Sequence, residues 1–349
     1  MRFIIAITML IYSGIIFAEP KEALLPPPPG FDPKKMNCTE IQNMPRVRAQ
    51  GSFDLCFAYT AATIAQWYFC KTHNISPCSS VDMKHEISPL SVAGWAHRTD
   101  PNKNDELQNH ENIEFGGSPL TTLGLFSAEA ITMAESCYPF DRVASKYTAV
   151  NYSQSIQLND SLKKILSNME SLFKQYKDTG STCNNCIVES FKNDLLFDVK
   201  PEDLRLALKK QTFGAFLHEV TIASCEDVIE VYRPLSPIMN YYPDLNKTPV
   251  PDVTLKVIKS AIQSGYPVAM GGMCTRTENG ECDNHSAVIS GYCSVNMPDG
   301  TKSEVVKIHN SWGMDWQRTH HDGWVDANAL VNHQNSAGSI VWWTIPKKK

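Results

Sequence analysis

Three short segments, far apart in a chain of 349 residues, carry side chains that do chemistry only if the fold brings them together. The first is Gln50-Gly51-Ser52-Phe53-Asp54-Leu55-Cys56-Phe57-Ala58-Tyr59, the second Asp283-Asn284-His285-Ser286-Ala287-Val288, and the third His309-Asn310-Ser311-Trp312-Gly313. A fold that uses all of them must set the N-terminal part of the chain against the C-terminal part. A thiol is a poor nucleophile until it loses its proton, and a helix N-terminus or a nearby imidazolium helps that loss. The run from Phe57 to Trp67 is alanine-rich and lacks Gly and Pro, so it predicts a helix with Cys56 in its first turn. Gly51 and Ser52 read as a turn, and Ser52 or Asp54 is the expected cap. The helix dipole would then favour a thiolate at Cys56. His285 is the candidate proton-transfer partner, and Asn310 the residue that holds its ring through the other nitrogen. Gln50 can donate its side-chain amide, together with the Cys56 N–H, to a developing oxyanion.

These residues resemble the papain family of cysteine proteases. The resemblance rests on four motifs in order. Gln50-Gly51-Ser52 with Cys56, Ala58 and Tyr59 matches the family's oxyanion glutamine and nucleophile. Gly116-Gly117-Ser118-Pro119 looks like its glycine pair for the substrate backbone, with Ser118 and Asn284 as candidate subsite residues. Asn284 to Tyr292 resembles the strand that carries the histidine. Asn310-Ser311-Trp312-Gly313, with Gly323-Trp324 beyond, resembles the asparagine and a shielding tryptophan, which makes Trp312 a candidate for the substrate cleft. The resemblance implies an α+β, papain-like two-lobed fold with a mainly helical lobe, a β-barrel-like lobe and the site in the cleft between them. It implies no metal and no cofactor.

The chain departs from the family pattern at several points. Around the nucleophile the local signature Cys-Gly-Ser/Ala-Cys-Trp/Tyr is replaced by Phe53-Asp54-Leu55-Cys56-Phe57, so one family disulfide is absent. Asp54 sets a negative charge close to the thiolate and opposes it. The separation of Cys56 from His285 exceeds the roughly 130–150 residues of the family, which calls for an insertion. Only a short stretch separates the apolar N-terminus from Gln50, so the family's long inhibitory prosegment is not expected.

Residues 1–18 read as a secretory signal, with Arg2, an apolar run from Phe3 to Phe17 and the small Ala18. The alternative is a membrane anchor, for which the run is short against the roughly 20 residues a span needs. Export to a secreted, periplasmic or lysosome-like compartment makes disulfides the expected state of most of the 11 cysteines. The odd count leaves one thiol, which the chemistry assigns to Cys56. Cys70–Cys78 and Cys274–Cys282 each bracket a short loop and are the expected local pairs. A net charge of −5 with 42% hydrophobic residues gives no sign of nucleic acid or an anionic membrane as partner.

Residues 19–35 contain Pro26-Pro27-Pro28-Pro29-Gly30, an extended segment expected to stay out of the core. Residues 36–142 read as the helical lobe, with helices at Cys56, near Pro89 to His97, and over Thr121 to Glu135. Residues 143–215 are the insertion, where Leu162, Ile165, Leu166, Met169 and Leu172 recur at helical spacing. It reads as a helical cap, or as a surface for a partner or inhibitor. Its Cys183-Asn184-Asn185-Cys186 suits a structural disulfide, with a redox pair or half a zinc site as alternatives. Residues 216–349 read as the β-rich lobe, with strands expected at His218–Ala223, Val228–Tyr232, Pro267–Met270, the His285 segment, Glu304–Ile308 and Ile340–Trp343, and a helix over Val253–Ser264.

Three functions fit the sequence. The first is an exported endopeptidase acting on protein or peptide substrates. The second is an exopeptidase or amidase on the same scaffold, and the third is a non-catalytic binding protein that kept the fold.

Overall fold

The computed structural model describes residues 23–51, 53–96, 117–129, 131–137, 139–146, 152–194, 196–225, 227–231, 235–244, 247–276, 282–335 and 338–346. The signal-like residues 1–18, Ser52 and Gly116 lie outside them. The fold is α+β. In chain order the elements are β1 (Thr39–Glu40), α1 (Cys56–Thr72), α2 (Pro89–Ala96), α3 (Pro119–Glu129), β2 (Ile131–Met133), α4 (Phe140–Lys146), α5 (Tyr152–Thr179), α6 (Asn184–Asp194), α7 (Pro201–Ala207) and α8 (Phe213–Ala223). There follow β3 (Val228–Glu230), β4 (Ile238–Tyr242), α9 (Pro251–Gln263), β5 (Val268–Arg276), β6 (Cys282–Asn296), β7 (Lys302–His309), α10 (Gly313–Thr319), β8 (Trp324–Asp326), α11 (Ala327–Asn332) and β9 (Ile340–Thr344).

The principal sheet is antiparallel in the order β4-β9-β5-β6-β7-β8, with β1 added to β6. β6 is its spine and sets His285 opposite Met273 of β5. Between Met270 and Met273 the register shifts, because Gly271 and Gly272 form a bulge. Gly272 has φ +73°, and a Cβ there would stand 2.7 Å from the Gly338 Cα, so only glycine allows this close approach. α1 is apolar on nearly every side. Its Ile64, Ala65 and Tyr68 pack against Val268, Met270, Ile289, Val341 and Trp343 of the sheet in one core. Phe57 and Tyr59, at its start, belong to a second core with Phe140, Met169, Phe173, Ile187, Phe191, Phe213 and Phe216. The start of α1 therefore shares a core with the helices of the 143–215 region, and α8 packs against α2.

Two elements differ from the sequence reading. His218–Ala223 is not a strand but the second half of α8. Phe213, Phe216, Leu217 and Val220 are all buried, a spacing of three and four, and the Thr212 hydroxyl accepts from the Ala215 N–H at 3.1 Å. The helix expected over Thr121–Glu135 stops at Glu129. Ile131–Met133 is strand, paired with β3 and held by the Ser91 hydroxyl accepting from Met133 N–H.

The proline-rich arm also departs from expectation. Ala23 is fully buried, Ala23 N–H donates to Cys274 O, and Asp326 N–H donates to Leu25 O. Cys38 is bonded to Cys293, so the arm is fastened along the sheet. The remaining bridges are Cys70–Cys78, Cys137–Cys225, Cys183–Cys186 and Cys274–Cys282, with Cys56 the free thiol, as the cysteine arithmetic required.

Candidate active site

Gln50 is positioned from both sides. Before it, Arg48 is buried and paired with Glu135 at 2.8 Å and Asp141 at 2.7 Å, and its guanidinium donates to Ile87 O. After it, Gly51 takes φ +63° and turns the chain into α1. Gln50 N–H donates to Ser311 O at 2.7 Å, and Gly313 N–H donates to Arg48 O at 3.0 Å. These bonds dock the strand-like segment 48–50 on the segment that follows Asn310. The Gln50 carboxamide is fixed at both ends: Ser311 Oγ donates to its Oε1 at 2.5 Å, and its Nε2 donates to Phe53 O at 2.5 Å. An amide nitrogen has two hydrogens, so one remains for a ligand in the cleft.

Cys56 is the first residue of α1, as its context predicts. The capping differs from expectation. Leu55 occupies the N-cap position and its side chain makes no capping bond, while Asp54 lines the cleft instead. The electrostatics differ as well. Burial pushes the Cys56 thiol up to about 11, and the nearby Asp54 charge adds to this. Hydrogen bonds from the Ser286 N–H and hydroxyl and from the Phe57 N–H pull the other way without overcoming it. A helix end contributes about 0.3–1 kcal/mol at an exposed site, which is small against removing a thiolate from water.

His285 is buried at 4% exposure, and its Nε2 donates to Asn310 Oδ1 at 2.7 Å. The same oxygen accepts from Ser311 N–H at 2.8 Å, which fixes which end of the amide faces the histidine. With Nε2 protonated, the neutral ring carries its lone pair on Nδ1. Burial holds the His285 pKa down at about 4, against the opposing pull of Asn310. Trp312 stacks on the imidazole with ring centroids 4.3 Å apart, and Trp316 meets Trp312 edge-on at 5.4 Å. This aromatic cover keeps water from the His285–Asn310 bond. Trp324, by contrast, packs on Phe31 of the N-terminal arm. Gln317 completes the support: its Oε1 accepts from Asn310 N–H at 3.3 Å and its Nε2 donates to Ile308 O at 2.7 Å. Behind Asn310 lies a cavity of about 10 Å³, bordered by Thr60, His309 and Asn310.

The cleft itself has a volume of about 510 Å³. Gln50, Cys56, Gly117, Ser118, Asn284, His285 and Trp312 all line it, and Asn310 sits behind His285. Gly117 is tightly set, since a Cβ there would stand 2.8 Å from the Phe57 ring. Asn284 accepts from Asn335 Nδ2 at 2.7 Å. Sequence reasoning passed over four contributors. Ser286 and Ser311 stood inside quoted motifs but carried no role of their own. Gln317 and Asn335 reach the site only through tertiary contacts and leave no local signal. Among the described residues no group of His, Cys, Asp and Glu is arranged to hold a metal ion.

No family model and no curated protein matches this chain. Among solved structures it is similar to SERA5E from Plasmodium falciparum, at 15% identity over 86% of this chain and 90% of that chain, TM-score 0.35. It is similar to digestive procathepsin L 3 of Tenebrio molitor larval midgut at 12% identity, over 93% of this chain and 74% of that one, TM-score 0.38. A recombinant stem bromelain precursor gives 12% identity over 94% and 78%, TM-score 0.38. At this level of likeness, function has to be argued from the cleft's own residues.

Proposed function

We propose that the chain is an exported papain-like cysteine endopeptidase. One observation carries the proposal: Cys56 at the start of a helix, the His285–Asn310 pair and the immobilised Gln50 amide converge on a single open cleft. In the reaction, His285 Nδ1 takes the Cys56 proton as sulfur attacks the scissile carbonyl. The remaining Gln50 Nε2 hydrogen and the Cys56 N–H receive the oxyanion. The imidazolium, held by Asn310, protonates the leaving amine, and water then resolves the acyl-enzyme with His285 as base. Because the resting thiol and imidazole are both neutral, proton transfer accompanies attack rather than preceding it. Gly117 and Ser118 would hold the substrate backbone beside Pro119 on the facing wall, with Gly116 as their neighbour. Asn284 would border a subsite, and residues 143–215 would form a helical insertion able to meet a partner or inhibitor. Export through residues 1–18 fits five disulfides, which persist in oxidising compartments.

A second reading is a non-catalytic binding protein. It is favoured by the opposed shifts of Cys56 and His285, which hold the pair neutral. An epoxysuccinyl thiol-protease inhibitor, followed by peptide mass spectrometry, separates the two. The endopeptidase reading expects one adduct on Cys56, absent in Cys56→Ala and lost in His285→Ala, and internal cleavage of an unfolded protein substrate. No adduct on folded, disulfide-bonded protein would establish the binding reading instead.

A further inference from the structure

The peptidase reading leaves one reactive group unused, the bridge between Cys183 and Cys186. It differs from the other bridges in where it sits. Each of the others has a buried member: Cys293 at 0%, Cys70 at 1%, Cys225 at 8% and Cys274 at 2% exposure. Cys183 and Cys186 are both exposed. They are separated by three positions, so their bridge closes the smallest loop in the chain and constrains the unfolded state least.

The local geometry also distinguishes the two sulfurs. α6 begins at Asn184, so Cys183 occupies the residue before its first turn and Cys186 lies within that turn. The Cys186 N–H donates to Cys183 Sγ at 3.2 Å. That bond and the end of an 11-residue helix both favour negative charge on Cys183 sulfur. α6 is anchored by Ile187 and Phe191 in the second core, so the two sulfurs stay neighbours whether or not they are bonded. An exposed, least-constraining bridge with one stabilised sulfur is the kind that exchanges.

We propose that Cys183–Cys186 is a thiol–disulfide exchange site whose substrates are dithiols, in peptides or small molecules. A substrate thiolate attacks Cys183 Sγ, the Cys183–Cys186 bond breaks, and Cys186 leaves as a thiolate that takes up a proton. The second substrate thiol gives up its proton and attacks the sulfur now joined to Cys183. Cys183 departs as a thiolate held by the Cys186 N–H, and the substrate leaves as a disulfide. Two electrons pass from the dithiol to the cysteine pair. The site is independent of Cys56 and of the peptidase reading.

The test uses the full chain carrying Cys56→Ser, so that no free thiol takes part. The protein is exposed to graded dithiothreitol at pH 7, quenched, alkylated and mapped by mass spectrometry. Cys183 and Cys186 are expected to reduce together, about tenfold or more ahead of every other bridge. Reduction no sooner than Cys70–Cys78, a bridge that also closes a short loop, would overturn the proposal. Two single variants, each checked for unchanged circular dichroism, test the roles of the sulfurs. With oxidised glutathione, Cys186→Ser should capture glutathione on Cys183 about tenfold faster than Cys183→Ser captures it on Cys186. Equal rates would overturn the assignment of Cys183 as the attacked and stabilised sulfur.

Discussion

The ionisation of Cys56 can be read directly from the pH dependence of its alkylation. Iodoacetamide reacts with the thiolate alone, so its rate follows the thiolate fraction. With the thiol pushed up to about 11, only about one Cys56 in 10⁴ is ionised at pH 7. A cysteine at its ordinary 9.0 would be ionised in about one case in 100. A more basic thiolate is the better nucleophile, and a Brønsted slope of about 0.4–0.5 returns about one of those two powers of ten. Cys56 should therefore alkylate about tenfold more slowly than an unhindered cysteine at neutral pH. Its rate should climb about tenfold per pH unit from about pH 6 to 10 without levelling. The assay is pseudo-first-order loss of the Cys56 peptide across a buffer series, with His285→Ala beside it. A rate that is flat between about pH 5 and 8, and that falls when His285 is replaced, would refute the reasoning. It would mean that a thiolate–imidazolium pair exists before substrate arrives, and that burial is not the dominant influence on this sulfur.

Ser311→Ala should leave KM unchanged and lower kcat about fivefold, the worth of one hydrogen bond of about 1 kcal/mol orienting the Gln50 amide; Ser311→Thr should restore it in steady-state peptide hydrolysis. Arg48→Met should destabilise the fold by about 3–5 kcal/mol in urea denaturation, because it leaves Glu135 without its buried cation, while Asp141 keeps Arg46. Acid should weaken the fold through His285, whose folded value near 4 lies below its ordinary 6.5. The neutral ring contributes about 3 kcal/mol above pH 6.5, and this is lost as pH falls toward 4. Melting temperatures across that window should fall for the parent chain and stay flatter for His285→Gln.

How far the sequence could be read depended on the range of the interaction involved. Short-range chemistry was legible: the alanine-rich α1, the loops bracketed by Cys70–Cys78 and Cys274–Cys282, and the alternating segments that became β5, β6, β7 and β9. Local pattern misled where a neighbouring stretch decided the outcome. His218–Ala223 alternates on its own, but Phe213, Phe216 and Leu217 continue its apolar positions at helical spacing. Ile131–Met133 extends a helical pattern, yet it is β-branched at two positions and meets β3. The fastening of the proline-rich arm depends on Cys293 and on the sheet edge, neither of which lies near it in sequence. Inside the cleft, residue types and order marked Cys56, His285, Asn310 and Gln50. The packing around the half-buried Cys56 that reverses the thiol's expected shift is a property of the packed fold, as are the supports from Ser286, Gln317 and Asn335.

The bond between Cys38 and Cys293 sets the order in which this molecule can be completed. Cys38 and its partner lie 255 residues apart, with nine other cysteines between them. Until Cys293 arrives, the early thiol shares the compartment with cysteines closer to it in the chain, any of which can capture it. The arm, the sheet edge and this bridge therefore close only after the chain has been made through β6. Folding should depend on an agent that undoes premature pairings, and a chain truncated shortly before β6 should accumulate as mispaired species rather than as a folded fragment.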